Sequence, residues 1–406
     1  MTDQTWRLLI EDDVTAGFGL AADETLARRV GRGESQPTLR LYRYRSHCAL
    51  VGRFQNVEQE LHLDFCRSHG IAVNRRPTGG GAIIMGAEQL GVALTMPGRE
   101  RHAYGGARQL MERFSAGLLR ALGDLGIAAA FRRRNDLEVD GRKIAGLGIY
   151  RDRSGGLLFH ASLLVDLDVP LMLRVLRIPL QKIADKDIAT VAARTCTVHS
   201  MLGAGVSFER VREQVAAGYS EAFGVVLERA AWSPAESRAI AHLERSKYAA
   251  PEWILQRTEV PDLSGATCVR TPAGLLEVRA TLAGRQIKAL HLSGDFFAAE
   301  GAIADLEGCL RWHSSDPAEI RKTLLPVYAR WAQDLESLPL ETLIGAIQRT
   351  TTRAHRSIDA ESSPRADAHT TAHTTAHTAA DTADDIADDT GSHPYGCFVT
   401  PGRRHA

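Results

Sequence analysis

Two arginines, Arg75 and Arg76, stand directly ahead of the run Pro77-Thr78-Gly79-Gly80-Gly81-Ala82. Arginine presents a planar fork of donors that matches carboxylates and phosphates. Three successive glycines serve poorly inside a helix or strand, because glycine loses the most backbone freedom on ordering. They suit a loop whose bare backbone N–H groups approach a ligand, and such a loop makes a concave anion site. The chemistry implied is the holding of a phosphate or carboxylate. The plain alternative is a Gly-rich hairpin beside two solvated arginines.

The elements around this loop must hold it rigidly. Gly70–Val73 before it and Ala82–Ile84 after it read as two strands. Upstream, a strand at Trp6–Ile10 leads to a helix from about Asp13 to Gly31. Residues 38–53 alternate as two strands about a turn at Ser46-His47, and a short helix then runs to His69. Downstream, Leu90–Met96 is a strand closed by Pro97-Gly98. Leu110, Phe114, Leu118 and Leu122 recur every four residues and predict one long helix over 103–125. Asp140-Gly141 is a strong hairpin signal and puts Lys143 at the start of the returning strand. A further strand covers Leu157–Val165. A short helix is expected at Met172–Leu176, helices over 196–226 about a turn at Gly203, and a helix over 233–246 capped by Ser233-Pro234.

The 406 residues suggest two or three domains. Lys+Arg and Asp+Glu each total 49, so charge gives no reason to expect a nucleic acid or membrane partner. The six cysteines form no C-x-x-C pair, which argues against a zinc ribbon or disulfide framework and suits a reduced cytoplasm. The N-terminus lacks a basic and then apolar leader, and no run is apolar enough to span a bilayer. A monomer in the cytoplasm is expected. After Tyr248 a small α+β unit follows, with strands at Leu275–Leu282 and Gln286–Leu292 and helices near 299–311 and 317–335. The boundaries expected are 1–247, 248–340 and a tail 341–406. The tail repeats Thr, Ala and His and turns acidic over 381–389, so it is expected to be largely disordered. Its last residues, Pro394–Val399, read as an idle terminus rather than a docking peptide.

Three stretches in this order resemble the lipoate–protein ligase family, within the lipoate and biotin ligases. Val51-Gly52-Arg53-Phe54-Gln55-Asn56 is similar to the family's Gly-Arg-x-Gln-Asn segment. Arg75-Arg76-Pro77-Thr78-Gly79-Gly80-Gly81-Ala82 is similar to its Arg-Arg-x-Ser/Thr-Gly-Gly-Gly-Ala loop. Asn135-Asp136-Leu137, then Asp140-Gly141-Arg142-Lys143-Ile144-Ala145-Gly146, then His160-Ala161-Ser162-Leu163-Leu164, resemble its hairpin and the strand that follows. Tyr248, Trp253 and Gly294-Asp295-Phe296-Phe297 resemble the accessory domain of the larger ligases. The resemblance covers about residues 6–335. It implies an α+β fold: a mixed-sheet catalytic domain of the biotin/lipoate ligase, class II synthetase-like type, plus a small α+β accessory domain.

It also implies an activity. Such ligases join lipoate to ATP as lipoyl-AMP, with Mg²⁺, and pass the lipoyl group to a lysine of a carrier, a GcvH-like or E2 lipoyl domain. By that resemblance Gly79, Gly80 and Gly81 hold negative charge with Arg75, Arg76, Thr78 and Ala82 around them. Lys143 reaches the carbonyl oxygen and phosphate of the adenylate, where a preorganised cation stabilises developing charge. Asn135 and Asp136 take the adenosine or metal side, with Asp136 beside Mg²⁺ or simply opening the hairpin. His160 lines the acyl pocket or packs as a strand histidine. Arg53, Gln55 and Asn56 line the cleft or form a capping turn. Ile83, Val92 and Leu94 supply the acyl tunnel or are ordinary core. One departure stands out. Where the family usually shows His and often Asp after its glycines, this chain has Met85-Gly86. We take this as the mark of a branch with its own carrier.

An ATP-independent octanoyl or lipoyl transferase of the same fold uses a cysteine nucleophile just before the Asn-Asp-Leu hairpin, because a thioester needs a thiolate. Here that segment, Ala128 to Arg134, has none, and Cys196 lies elsewhere in the order. A non-catalytic lipoate-binding protein would have less use for Lys143. Biotin ligation lacks its Gly-Arg-Gly-Arg-like loop.

Overall fold

The computed structural model describes residues 4–98, 106–132, 135–177, 193–256, 265–271 and 274–362. The Thr/Ala/His tail beyond 362 and the start of the helix expected from 103 lie outside these residues. The fold is α+β, with a large mixed sheet, as the resemblance implied.

The strands in chain order are β1 (Gln4–Val14), β2 (Thr38–Tyr44), β3 (Cys48–Val51), β4 (Ala72–Arg75), β5 (Ile83–Met85), β6 (Gln89–Pro97), β7 (Ala130–Phe131), β8 (Asp136–Val139), β9 (Arg142–Arg151), β10 (Gly156–Leu164) and β11 (Val225–Arg229). They form an eight-stranded sheet ordered β11-β1-β2-β6-β10-β9-β8-β7 and a three-stranded sheet ordered β4-β3-β5. β1 pairs in parallel with β2 and β11, and the strands from β2 to β7 pair antiparallel. β11 was not foreseen, because residues 196–226 read as helical up to its start. The helix ends at Phe223, Gly224 closes it with φ +61°, and Val225 opens the strand.

Strand alternation gives the large sheet two different faces. Leu41, Val92, Ala161 and Leu147 point to one side and bury against helices Ala107–Phe114, Ala116–Asp124 and Phe208–Phe223. Leu118 and Leu122 are fully buried there, and truncating either to alanine should cost about 2–5 kcal/mol. The expected long helix is in fact two, broken at Ser115, whose hydroxyl bonds the Glu112 carbonyl at 2.9 Å. The other face carries Tyr42, Ala93 and Leu158 and packs under helix Ala16–Gly31 and beside the three-stranded sheet.

The accessory unit is a four-stranded antiparallel sheet, β12 (Gly265–Thr271), β13 (Gly274–Ala283), β14 (Gln286–Gly294) and β15 (His313–Ser314). Helices Glu300–Cys309, Pro317–Arg330 and Leu340–Ser362 accompany it. Tyr248 and Trp253 belong to the catalytic unit: the Tyr248 hydroxyl bonds Glu24, and the Trp253 indole donates to the Arg75 carbonyl at 3.0 Å. At the other end, Leu343, Ile344, Ile347 and Ala354 are buried in the accessory core, so the chain folds well past 341. Their i, i+3/i+4 spacing was readable, but the polar Thr and Arg residues between them hid it.

Candidate active site

The glycine loop joins β4 to β5 and lies on the face of the large sheet that carries Tyr42 and His160. Its glycines are required by close approach. A Cβ on Gly52 would sit 1.9 Å from the Gly80 carbonyl oxygen, and one on Gly79 would sit 2.2 Å from that of Phe296. Gly80 has φ +92°, a conformation costly for any residue with a Cβ.

The two arginines do different work from a pair of free anion binders. Arg75 is fully buried, and its guanidinium donates to the carbonyls of Gly52, Arg53, Gln55, Trp253, Ile254 and Leu255. It therefore ties the loop 52–55 to the end of helix Pro251–Ile254. Burial, then Arg53 and Arg76, lowers its pKa to about 9. Arg76 donates to the Leu50 carbonyl at 2.6 Å and to those of Gly81 and Gly79 at 2.9 and 3.3 Å. Its guanidinium organises the glycine loop from beneath. Thr78 Oγ1 lies 2.9 Å from His160 Nε2, and Ala82 is buried behind the loop. Burial, reinforced by Arg76, lowers the His160 pKa to about 3, so the ring is neutral at ordinary pH.

Across the loop, Lys143 Nζ lies 2.8 Å from Asp136 Oδ1, both nearly buried. The turn that places Lys143 has Asp140 at φ 50° and Gly141 at φ 74°, the left-handed pair of a tight hairpin. Asn135 donates to the Leu147 carbonyl at 3.0 Å and accepts the Leu147 N–H on its own carbonyl, which fixes where β8 begins. Asn56 caps helix Val57–Glu60, accepting from Glu58 and Gln59. Arg53 reaches the accessory unit, donating to Gln256 at 2.8 Å and Glu300 at 2.7 Å. So the structure brings Arg76, Thr78 and His160 to one cavity with Ser162, and Lys143 with its partner Asp136 lies beside Gly146, the strand neighbour of Ser162. Arg75, Asn56 and Asn135 serve the backbone around it. Ile83 faces the cleft, but Val92 and Leu94 lie in the core on the opposite side of the sheet. That follows from parity, since Gly91 and Ala93 take the cleft face.

Sequence reasoning missed Phe296 and Phe297 as neighbours of the loop. Phe54 stacks on Phe296 at 4.9 Å, and the Phe297 ring abuts Gly80. It also missed Tyr42, Asp23 and Ser162, which line the same cavity. Cys196 donates its N–H to the Lys143 carbonyl and its thiol to the Arg142 carbonyl at 3.6 Å, and burial raises its pKa. Among the described residues, no three metal-binding side chains converge. Asp136 is engaged by Lys143, so a Mg²⁺ ion here would be held chiefly by substrate phosphates, its usual habit.

A model of the lipoyl protein ligase A/B catalytic domain matches residues 15–220. The chain belongs to that family. The match stops short of the accessory unit. Octanoyltransferase LipM of Symbiobacterium thermophilum is 32% identical over 277 residues, all of that protein and 63% of this chain. The bi-partite lipoate protein ligase of Thermoplasma acidophilum, solved in a study of its lipoylation system and E2 lipoyl domain, superposes with a TM-score of 0.57. It is 28% identical and covers 64% of this chain and 100% of its own. A lipoate-protein ligase A bound with ATP superposes with a TM-score of 0.54, at 25% identity, over 62% of this chain and 99% of its own. This protein is thus an enzyme of the lipoate ligase and transferase family. Relatives found by sequence carry the octanoyltransferase name, which favours the transferase alternative over the expected ligase. No helix among the described residues is long and apolar enough to cross a membrane.

Proposed function

We propose that this protein transfers an eight-carbon acyl group, lipoyl or octanoyl, to a lysine ε-amine of a lipoyl-carrier domain, and that it activates the free acid with ATP. The observation that carries this reading is Lys143, buried and held by Asp136 at 2.8 Å. In the first step the acid's carboxylate oxygen attacks the α-phosphorus of ATP and pyrophosphate leaves. In the second the carrier's amine attacks the acyl carbonyl and AMP leaves. Both transition states gather negative charge beside the acyl carbon, where a preorganised cation is most useful. In this reading backbone N–H groups of Gly79–Gly81 would take phosphate oxygens. The ATP-bound ligase of the same fold supports this donor.

The second reading, acyl transfer from one carrier to another without ATP, is favoured by the likeness to LipM. Against it, Cys48, Cys66 and Cys196 are buried with their thiol pKa values raised, the reverse of an activated nucleophile. Cys268 and Cys309 lie in the accessory unit, and Cys397 falls outside the described residues.

The test is the mass of an E2 lipoyl domain incubated with the protein. A lipoyl or octanoyl mass gain that needs free acid, ATP and Mg²⁺ supports the ligase. A gain from an octanoyl-loaded carrier, with no effect of ATP, overturns it in favour of the transferase.

A further inference from the structure

Glu24 is a carboxylate with no exposed surface, on a helix whose other buried residues include Leu20, Ala21, Ala22 and Ala27. Burying a carboxylate is costly unless donors surround it. Three donors do so. Arg28 bonds it from the next turn of the same helix. Lys247 Nζ lies 3.0 and 2.8 Å from its two oxygens, and the Tyr248 hydroxyl donates to it. Lys247 and Tyr248 are successive residues of a single π-helical turn, Glu244–Tyr248, that continues helix Pro234–Leu243. The turn closes through the Ala249 N–H on the Glu244 carbonyl at 2.7 Å. Such turns are rare and occur frequently at functional sites.

From this grip a chain of contacts runs to the glycine loop. The Tyr248 carbonyl accepts from the Asn74 side chain at 2.8 Å, and Lys247 Nζ sits 3.9 Å from the centre of the Trp253 ring. The Trp253 indole donates to the Arg75 carbonyl, and the Arg75 guanidinium donates back to the carbonyls of Trp253 and Ile254. The same guanidinium holds the carbonyls of Gly52, Arg53 and Gln55. That loop bears directly on the glycines. The Arg53 N–H donates to the Thr78 carbonyl at 2.8 Å, and Gly52 packs so closely on Gly80 that a Cβ would lie 1.9 Å from its carbonyl oxygen. Residues 244–256 are therefore a strap, fastened at one end to Glu24 and at the other to Arg75.

We infer that Glu24 is a positioning residue: by holding the strap it sets where the glycine loop stands, and so how tightly that loop binds the phosphates of a nucleotide. The inference rests on the ATP-dependent reading for its ligand. It adds a residue that acts on the loop through Lys247, Tyr248 and Trp253.

Amide hydrogen exchange on the full chain, read by mass spectrometry, tests the mechanical half. The amides of Gly52, Arg53, Gln55 and Arg76 are all bonded and report on the two loops. Glu24→Gln should speed their exchange by about tenfold or more, the worth of a charge-assisted hydrogen bond. The amides of β6 and β10 should exchange as in the native chain. Acid-dependent pyrophosphate–ATP exchange tests the other half: KM for ATP should rise about tenfold, with kcat within about threefold of native. Trp253→Phe removes the indole donor and should loosen the same amides. Adding it to Glu24→Gln should loosen them no further, because both cut one chain of contacts. If Glu24→Gln does not fold, as checked by circular dichroism, Tyr248→Phe takes its place and should show the same pattern. Unchanged loop exchange, exchange that rises equally in β6 and β10, or additive loosening in the double variant overturns the proposal. So does a fall in kcat with KM for ATP unchanged. Loosened loops in a protein whose native form shows no pyrophosphate exchange would keep Glu24 as the positioning residue and count against the ligase reading instead.

Discussion

Arg40 and Arg75 are both fully buried, and they are satisfied in opposite ways. Arg40 is matched by two carboxylates, Asp23 and Glu11, which raise its pKa against the pull of burial. Arg75 meets carbonyl oxygens, and burial with two neighbouring arginines lowers its pKa. A buried charge is expensive unless paired. Arg40 is therefore electrically closed. Around Arg75, with Arg53 and Arg76 beside it, positive charge gathers with no carboxylate among its hydrogen-bond acceptors in the described residues, and the backbone carbonyls take its donors. The difference teaches that a buried guanidinium can be satisfied by carboxylates, as at Arg40, or by backbone carbonyls that tie loops together, as at Arg75.

The largest effect expected is at the buried cation of the site. Lys143→Ala should lower carrier acylation by about 10²–10³-fold, as loss of one transition-state donor commonly does. Unchanged activity would remove Lys143 from the chemistry. Next, Arg75→Gln should leave several carbonyls without donors and cost about 3 kcal/mol or more. A thermal melt should show it as a fall of roughly 6–10 °C. A melt within a degree of the native protein would mean the arginine is not the tie we describe.

His160 sharpens the comparison through pH. Its pKa falls from 6.5 to about 3 on folding, so the unfolded chain binds the extra proton first. Stability should therefore drop as pH falls from about 6.5 toward 3, and His160→Gln should flatten that slope. A slope that survives the substitution assigns it to other groups. The smallest effect is expected at Cys196. Cys196→Ser keeps a donor for the Arg142 carbonyl and should cost at most about 1 kcal/mol, with activity within about twofold of native. A collapse of activity would revive a thiol mechanism.

Much of the site was legible because it is written in local motifs. The Arg-Arg and triple-glycine loop, the Asp140-Gly141 turn and Lys143 after it each depend on a few neighbouring residues, and each stands where expected. What was hidden depends on register or on distant chain. Arg75 and Arg76 look like one pair in sequence, yet strand alternation sends the first to the linker and the second under the loop. Val92 and Leu94 look like tunnel residues until parity turns them to the core. Tyr42 gives no signal by itself, because its place over Gly91 is set by a pairing made across forty-nine positions of chain, from 42 to 91. Phe296 and Phe297 reach the loop only through the docking of a second unit.

The most direct test of the account is pyrophosphate–ATP exchange with the purified protein and free lipoate or octanoate, in the absence of any carrier. We predict acid-dependent exchange that Lys143→Ala abolishes. No exchange with either acid, alongside octanoyl transfer between carriers, would contradict the account and identify the protein as a transferase.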